Sequence, residues 1–125
     1  MMKLRLTQYP GAIAQAAQAV NEIDSQIAEI RQRLARLEGN ADLIVAFETA
    51  LKNDNQRKAR RYQVLQQDAT YEQMLDHLNN LSTQKANALA QLERLRNEFT
   101  VAKLEVQLAI AQKLASSETR ELVGL

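Results

Sequence analysis

A short basic run in the middle of the chain is the feature best suited to chemistry. Five basic residues stand between positions 52 and 61 against the single acid Asp54: Lys52, Arg57, Lys58, Arg60 and Arg61. Lys and Arg side chains grouped in this way bind nucleic-acid phosphates by releasing counterions, and Tyr62 directly after the run could stack on a base. The run therefore predicts contacts with phosphate groups or with an acidic protein partner.

An alternative role for the basic run is internal pairing within a helical hairpin. If the chain turns near residue 68, the antiparallel partner helix brings Asp76 close to Arg60. Asp68, Glu72 and Asp76 would then face the basic run across the seam, where charged pairs set helix orientation. The sequence leaves both interpretations open.

The other reactive side chains are too few for catalysis or metal binding. The chain has one histidine, His77, and no cysteine, which excludes disulfides, thiolate metal sites and cysteine nucleophiles. The residues three before and four after His77 are apolar, so no helical metal-binding spacing is formed. Asp68, Glu72 and Asp76 align on one helix face but have no opposing row of acids for acid–base catalysis. We predict a non-enzymatic protein with no catalytic residue, no metal and no cofactor.

The composition favours helices as the elements that position these residues. Three glycines, one proline and 4% aromatic residues in 125 positions offer few turns and little strand character. Hydrophobic residues make up 46% and charged residues 25% of the chain, which is typical of a folded globular protein. The net charge of +1 gives no general attraction to nucleic acid or anionic membranes. We expect a single helical domain over residues 1–125.

The first half of the chain carries a regular apolar stripe. Apolar residues follow a three-then-four spacing over four heptads, which predicts a helix with one buried face: Ile13, Ala16, Val20, Ile23, Ile27, Ile30, Leu34 and Leu37. Before this stripe, Leu4 and Leu6 alternate with polar residues and then meet Pro10-Gly11, a pair that breaks regular structure. We predict an extended lead-in over residues 1–10 and a helix from residue 11.

Gly39-Asn40 is the clear break signal in the middle of the chain, since glycine favours a helix end and asparagine can cap the next helix. Ala41, Ile44 and Leu51 nevertheless continue the heptad count across it. This continuity predicts one helix or a kinked helix pair over residues 11–66. A reversal at Gly39 would instead give a three-helix bundle.

The second half of the chain predicts the longest helix. Capping side chains at residues 68–70 mark a turn near residue 68. Eleven of the twelve heptad positions from Tyr71 to Ala109 are apolar; the exception is Lys85, whose stem can pack while its ammonium reaches solvent. A helix over residues 70–115 would be on the order of 68 Å long. The predicted fold is therefore an elongated antiparallel helical hairpin or coiled coil, with a tail at residues 116–125.

Apolar residues spread beyond the seam between Phe99 and Leu114, and a helix that is apolar on several faces is covered on several sides. The alanine-rich opening of the first helix is one candidate cover, and a partner subunit is the other. We predict a homo-oligomer, most simply a homodimer with two-fold symmetry. Its candidate interface consists of Phe99, Val101, Leu104, Leu108 and Ile110.

The N-terminal residues only partly match a targeting signal. Lys3 and Arg5 precede an alanine-rich stretch, but Pro10, Gln15 and Gln18 interrupt its apolar character. We therefore expect no signal peptide. No run approaches the roughly 18 apolar residues that a membrane span requires, which predicts a soluble cytoplasmic protein without membrane contact.

Two charged stretches resemble a family of small uncharacterised helical proteins associated with cyanobacteria. They are Leu51 to Arg61, LKNDNQRKARR, and Leu95 to Glu105, LRNEFTVAKLE. The resemblance extends over roughly half of the chain and rests on charged helix faces. It implies a bacterial cytoplasmic setting and carries no activity or site residue with it.

These features predict a non-enzymatic coiled-coil interaction or scaffold module that associates with itself. Its working surfaces would be the apolar region from Phe99 to Leu114 and the basic tip from Lys52 to Arg61. The alternative is a nucleic-acid-associated accessory protein whose basic tip contacts phosphates.

Overall fold

The described part of the chain folds almost entirely into helices. The computed structural model describes the backbone of residues 4–123 and the side chains of residues 4–117. A 3₁₀ helix at Leu6–Gln8 leads into α1 (Tyr9–Phe47), which is followed by α2 (Asp54–Gln66) and α3 (Ala69–Val123). No strand occurs between residues 4 and 123, so the predicted all-α class is confirmed.

Two compact units are built from parts of these helices. One joins the residues up to Gln18 with those from Ala88 onward, and the other is Ala19–Asn87, which contains all of α2. We call these the first and second units. The core of the second unit consists of residues at the predicted seam positions, so the heptad spacing located this core correctly: Ile27, Ile30, Leu34 and Leu81, with Ile23, Tyr71, Met74 and Leu78 packed around them.

The helical structure begins earlier than the sequence predicted. Gln8 accepts a hydrogen bond from the backbone N–H of Arg5 at 2.8 Å and returns one to the Arg5 carbonyl at 2.9 Å. Pro10 fits the first turn of α1 because the N–H that it lacks would have no intrahelical acceptor there. The extended lead-in predicted for residues 1–10 is therefore wrong for residues 6–10, while residues 1–3 lie outside the described residues.

α1 continues through Gly39 without a break. No described glycine has a positive φ, so the reversal considered at Gly39 is wrong and the continuous helix is confirmed at this position. Ala41 and Val45 are buried beyond it, whereas Ile44, predicted on the seam, is 45% exposed. An α-helix has 3.6 residues per turn and drifts away from a strict heptad count, which explains the shift from Ile44 to Val45.

Replacing Gly39 with alanine is expected to stabilise the protein. A Cβ atom at Gly39 would meet no other atom within 4 Å, and alanine inside a helix is favoured over glycine by about 0.5–1 kcal/mol. Urea unfolding should show this gain as a higher midpoint with an unchanged slope. A lower midpoint for Gly39→Ala would contradict a helical conformation at this residue.

The helix predicted over residues 11–66 ends at Phe47, and the chain reverses over residues 48–53. Asn53 caps α2, with its side chain accepting a hydrogen bond from the Gln56 N–H at 2.9 Å. The Gln56 carboxamide in turn accepts from the Lys52 N–H at 2.7 Å. Two of the donors at this helix start are therefore satisfied by side chains.

This reversal fixes the register of the helical hairpin in the second unit. Tyr71 contacts Glu38 and Lys85 contacts Asp24, and the residue numbers of both pairs add up to 109. A constant sum means that α3 runs antiparallel to α1, as predicted. Lys85 behaves as expected of a polar seam residue, because its side chain is partly buried and its ammonium lies 2.8 Å from Asp24.

Residues 67 and 68 interrupt the helical path but do not reverse the chain. Asp68 caps α3 by accepting hydrogen bonds from the N–H groups of Thr70 at 3.0 Å and Tyr71 at 3.4 Å. The break predicted here is confirmed, but the reversal predicted near residue 68 is wrong, since the reversal precedes α2.

The backbone of α3 stays helical to Val123, so residues 116–123 of the predicted tail continue the helix; residues 124 and 125 are not described.

Candidate functional site

The basic run lies on the reversal and on the first turns of α2. Lys52 belongs to the connection, and the four other basic residues lie on α2, which begins at Asp54 under the Asn53 cap. Asp54 itself stands in the first turn, where a carboxylate interacts favourably with the helix dipole. The five predicted basic residues thus lie on the connection before α2 and on its first eight residues.

Carboxylates of the same chain pair with the arginines of the run. Arg60 Nε lies 2.8 Å from Glu48 and Arg61 Nε lies 2.7 Å from Asp42, while Arg57 pairs with Asp54 within α2 at 2.7 Å. Internal pairing was one of the two interpretations of the run. An incoming phosphate would have to compete with these carboxylates.

The acids that perform this pairing are not the predicted ones. The sequence prediction placed Arg60 beside Asp76, but Arg60 pairs with Glu48 because the chain reverses before α2. Asp68 caps α3 instead of facing the run. Sequence reasoning missed Asp42 and Glu48, since a reversal near residue 68 puts the end of α1 out of reach of α2.

A polar cluster joins α1 to α2 and α3 beside this pairing. The Tyr71 hydroxyl donates a hydrogen bond to Glu38 at 3.0 Å. Burial raises the pKa of Tyr71, and the hydrogen bond to Glu38 raises it further. The folded chain therefore holds the phenolic proton more tightly than the unfolded chain. The stability that this provides is present below the ordinary pKa of tyrosine and is lost as the pH rises from there through the raised pKa. The hydrogen bond to Asp42 raises the pKa of Arg61, so this guanidinium stays charged.

The other titratable candidates form no reactive constellation in the described residues. His77 is exposed, and no group of three His, Cys, Asp or Glu side chains that could hold a metal ion occurs among the described residues. None of the buried side-chain N and O atoms in the described part lacks a hydrogen-bond partner. The prediction that the protein is not an enzyme stays a prediction.

The predicted oligomer interface separates into two parts. Phe99 packs inside the first unit, where its ring stacks on Tyr9 with centroids 5.5 Å apart and the Lys103 ammonium lies 4.5 Å from its centroid. The four other residues have no such cover and are between 51% and 60% exposed: Val101, Leu104, Leu108 and Ile110.

α3 extends beyond the part that α1 covers in the first unit. Tyr9, the first residue of α1, already lies against Phe99, and every side chain from Lys103 to Ser117 is exposed. The alanine-rich opening of α1, considered as a cover for residues 99–114, therefore does not cover residues 103–114. We call residues 101–115 of α3 the apolar extension.

Comparisons with protein-family models, with curated protein sequences and with solved structures give no match. The resemblance to a cyanobacterial family therefore stays a prediction. No helix within the described residues combines the length and the apolar character needed to cross a membrane.

Proposed function

We propose that this protein is a non-enzymatic coiled-coil interaction module that associates with itself through the apolar extension, most simply as a two-fold dimer. The observation that carries the proposal is the exposure of large apolar side chains along this part of α3. Val101, Leu104 and Leu108 are each more than half exposed. With Ala111 and Ala115 they follow the three-then-four spacing that a partner helix covers in a coiled coil.

A helix of this kind gains most of its stability from packing. The apolar extension continues α3, so no separate nucleation is needed, but most helical stability in proteins comes from packing of an apolar face. The apolar extension carries ten apolar residues among its fifteen positions, yet every described side chain from Lys103 onward is exposed. A neighbouring helix supplied by another chain would provide the missing packing.

A second copy of the chain suits the apolar extension because apolar side chains lie exposed on two different faces of this helix. Ile110 follows Leu108 by two positions, which places it on the opposite side of the helix. A copy of this chain brings two antiparallel helices and can therefore cover more than one face. Each half-exposed Leu, Ile or Val would gain about 1 kcal/mol on burial, so we expect a modest affinity that several residues share.

A groove in the first unit continues the apolar extension. Leu4, Tyr9, Val101 and Ala102 line a space of about 590 Å³ together with polar residues of α3. Val101 belongs both to this groove and to the apolar extension. The groove thus supports an interaction surface that reaches from the end of α3 to the start of α1.

Two glutamates placed in the apolar extension are expected to dissociate the dimer. The double variant Leu104→Glu/Leu108→Glu should weaken self-association on the order of 100-fold, because it would bury charges in an apolar interface. Any loss of helix content should stay within the apolar extension, which loses its packing partner, because both side chains are more than half exposed in the single chain. Light scattering and circular dichroism measure these two quantities on the same samples.

The matched control adds the same charges at polar positions of the same helix, as Gln107→Glu/Gln112→Glu. We expect this control to associate like the unmodified chain. Equal association of both double variants would exclude the apolar extension as the interface. If the leucine variant loses more helix content than the apolar extension contains, the Leu104→Ala/Leu108→Ala pair repeats the test without new charges.

A further inference from the structure

A second groove opens in the second unit where α2 meets α3. The interruption at residues 67 and 68 separates the two helices, and side chains of α2 and of the first turns of α3 form its walls. Its volume is about 810 Å³, which lies in the range of binding clefts, roughly 300–1,000 Å³. The groove is therefore large enough to accept side chains of a partner.

The groove combines a buried apolar floor with exposed apolar walls. Leu65 on the floor is 7% exposed, whereas Tyr62 is 67% and Leu75 is 37% exposed. Exposed aromatic rings beside a buried aliphatic side chain are typical of the anchor pockets of protein interfaces. An apolar side chain inserted here would contact all three residues.

Two cations stand beside this apolar pocket. Lys58 forms no ion pair within the described residues. Arg61 lines the same groove. Its Nε donates to Asp42, and a guanidinium carries four further N–H donors on its two terminal nitrogens. Glu72 is the one acid among the lining residues. The pocket thus offers apolar contacts next to a site for a carboxylate.

We propose that this groove binds an acidic amphipathic segment of a partner protein. A leucine or aromatic side chain of that segment lies against Tyr62, Leu65 and Leu75, and a neighbouring carboxylate pairs with Lys58 and the terminal nitrogens of Arg61. The proposal deepens the interaction function by naming a partner for the second unit, and it does not depend on self-association. A nucleic acid fits less well, since tight binding requires many neutralised phosphates and all three arginines of α2 already pair with acids.

Fluorescence anisotropy with a designed peptide tests the proposal on the full chain. The probe is a labelled peptide of about 14 residues with blocked ends, leucine or tryptophan at helical spacing and glutamate elsewhere. We expect saturable binding that weakens at least about tenfold in Lys58→Glu and in Tyr62→Ala, the range of interface hot spots. Arg31→Glu is the matched control, because it reverses an exposed charge on α1 in the same unit.

The absence of saturable binding would overturn the proposal, as would equal affinities in Lys58→Glu, Tyr62→Ala and the control. A single-stranded oligonucleotide of about 16 nucleotides serves as the competing probe. If it binds more tightly than the peptide and loses its affinity in Lys58→Glu, the groove is a nucleic-acid site and the proposal is wrong. Light scattering reads self-association separately, so failure of one proposal is distinguishable from failure of the other.

Discussion

Replacing Leu81 with alanine is expected to destabilise the protein by about 3–5 kcal/mol, the range measured for buried leucines that leave a cavity behind. Leu81 is 1% exposed and packs with Ile27, Ile30 and Leu34 in the core of the second unit. Since a domain of this size has a total stability of about 5–15 kcal/mol, the variant should lose between about a fifth and all of it. Urea titration followed by circular dichroism measures the loss.

The same substitution at an exposed leucine of the second unit provides the control for Leu81. Leu43 lies on α1 and is 57% exposed, so Leu43→Ala should change the free energy of unfolding by less than about 0.5 kcal/mol. Equal losses in Leu81→Ala and Leu43→Ala would show that the helices do not pack in the register described above.

Replacing Tyr9 with alanine is expected to destabilise the first unit by about 3 kcal/mol. Tyr9 is 2% exposed and stacks on Phe99, so the variant loses both a buried ring and an aromatic pair. Hydrogen exchange should then become faster in the first residues of α1 and in α3 around Phe99, with smaller changes in the core around Leu81.

The conservative variant Tyr9→Phe keeps the ring and separates packing from the hydroxyl group. We expect it to cost less than about 1.5 kcal/mol, as volume-conserving substitutions do. If Tyr9→Ala leaves hydrogen exchange around Phe99 unchanged, the contact between the two rings does not hold the first unit together.

The heptad pattern predicted most buried residues of both long helices because burial repeats with the helical period, but it missed Tyr9 and Val45. Ile27, Leu34 and Leu81 all lie at predicted seam positions. The pattern did not predict the reversal at residues 48–53, since Leu51, which lies inside the reversal, continues the heptad spacing. The capping side chains Asn53 and Gln56 were the available signal for this reversal. Capping residues are a better guide to the start of a helix than continuity of the heptad spacing.

The position of the reversal also decided which candidate site residues were found. The basic run was visible from charge alone, but its partners Asp42 and Glu48 follow from the pairing of α2 with the end of α1. An error in the position of a turn changes every partner across the seam. Of the predicted interface residues, four are exposed in the single chain while Phe99 packs against Tyr9: Val101, Leu104, Leu108 and Ile110. Their role as an interface stays a prediction.

The mass of the unmodified chain in solution is the most direct test of self-association through the apolar extension. Sedimentation equilibrium should be measured from about 1 to 200 μM, because a weak dimer follows mass action over such a range. Self-association predicts a weight-average mass that rises from 14.1 kDa toward twice that value with increasing concentration. A mass of 14.1 kDa at every concentration would contradict it.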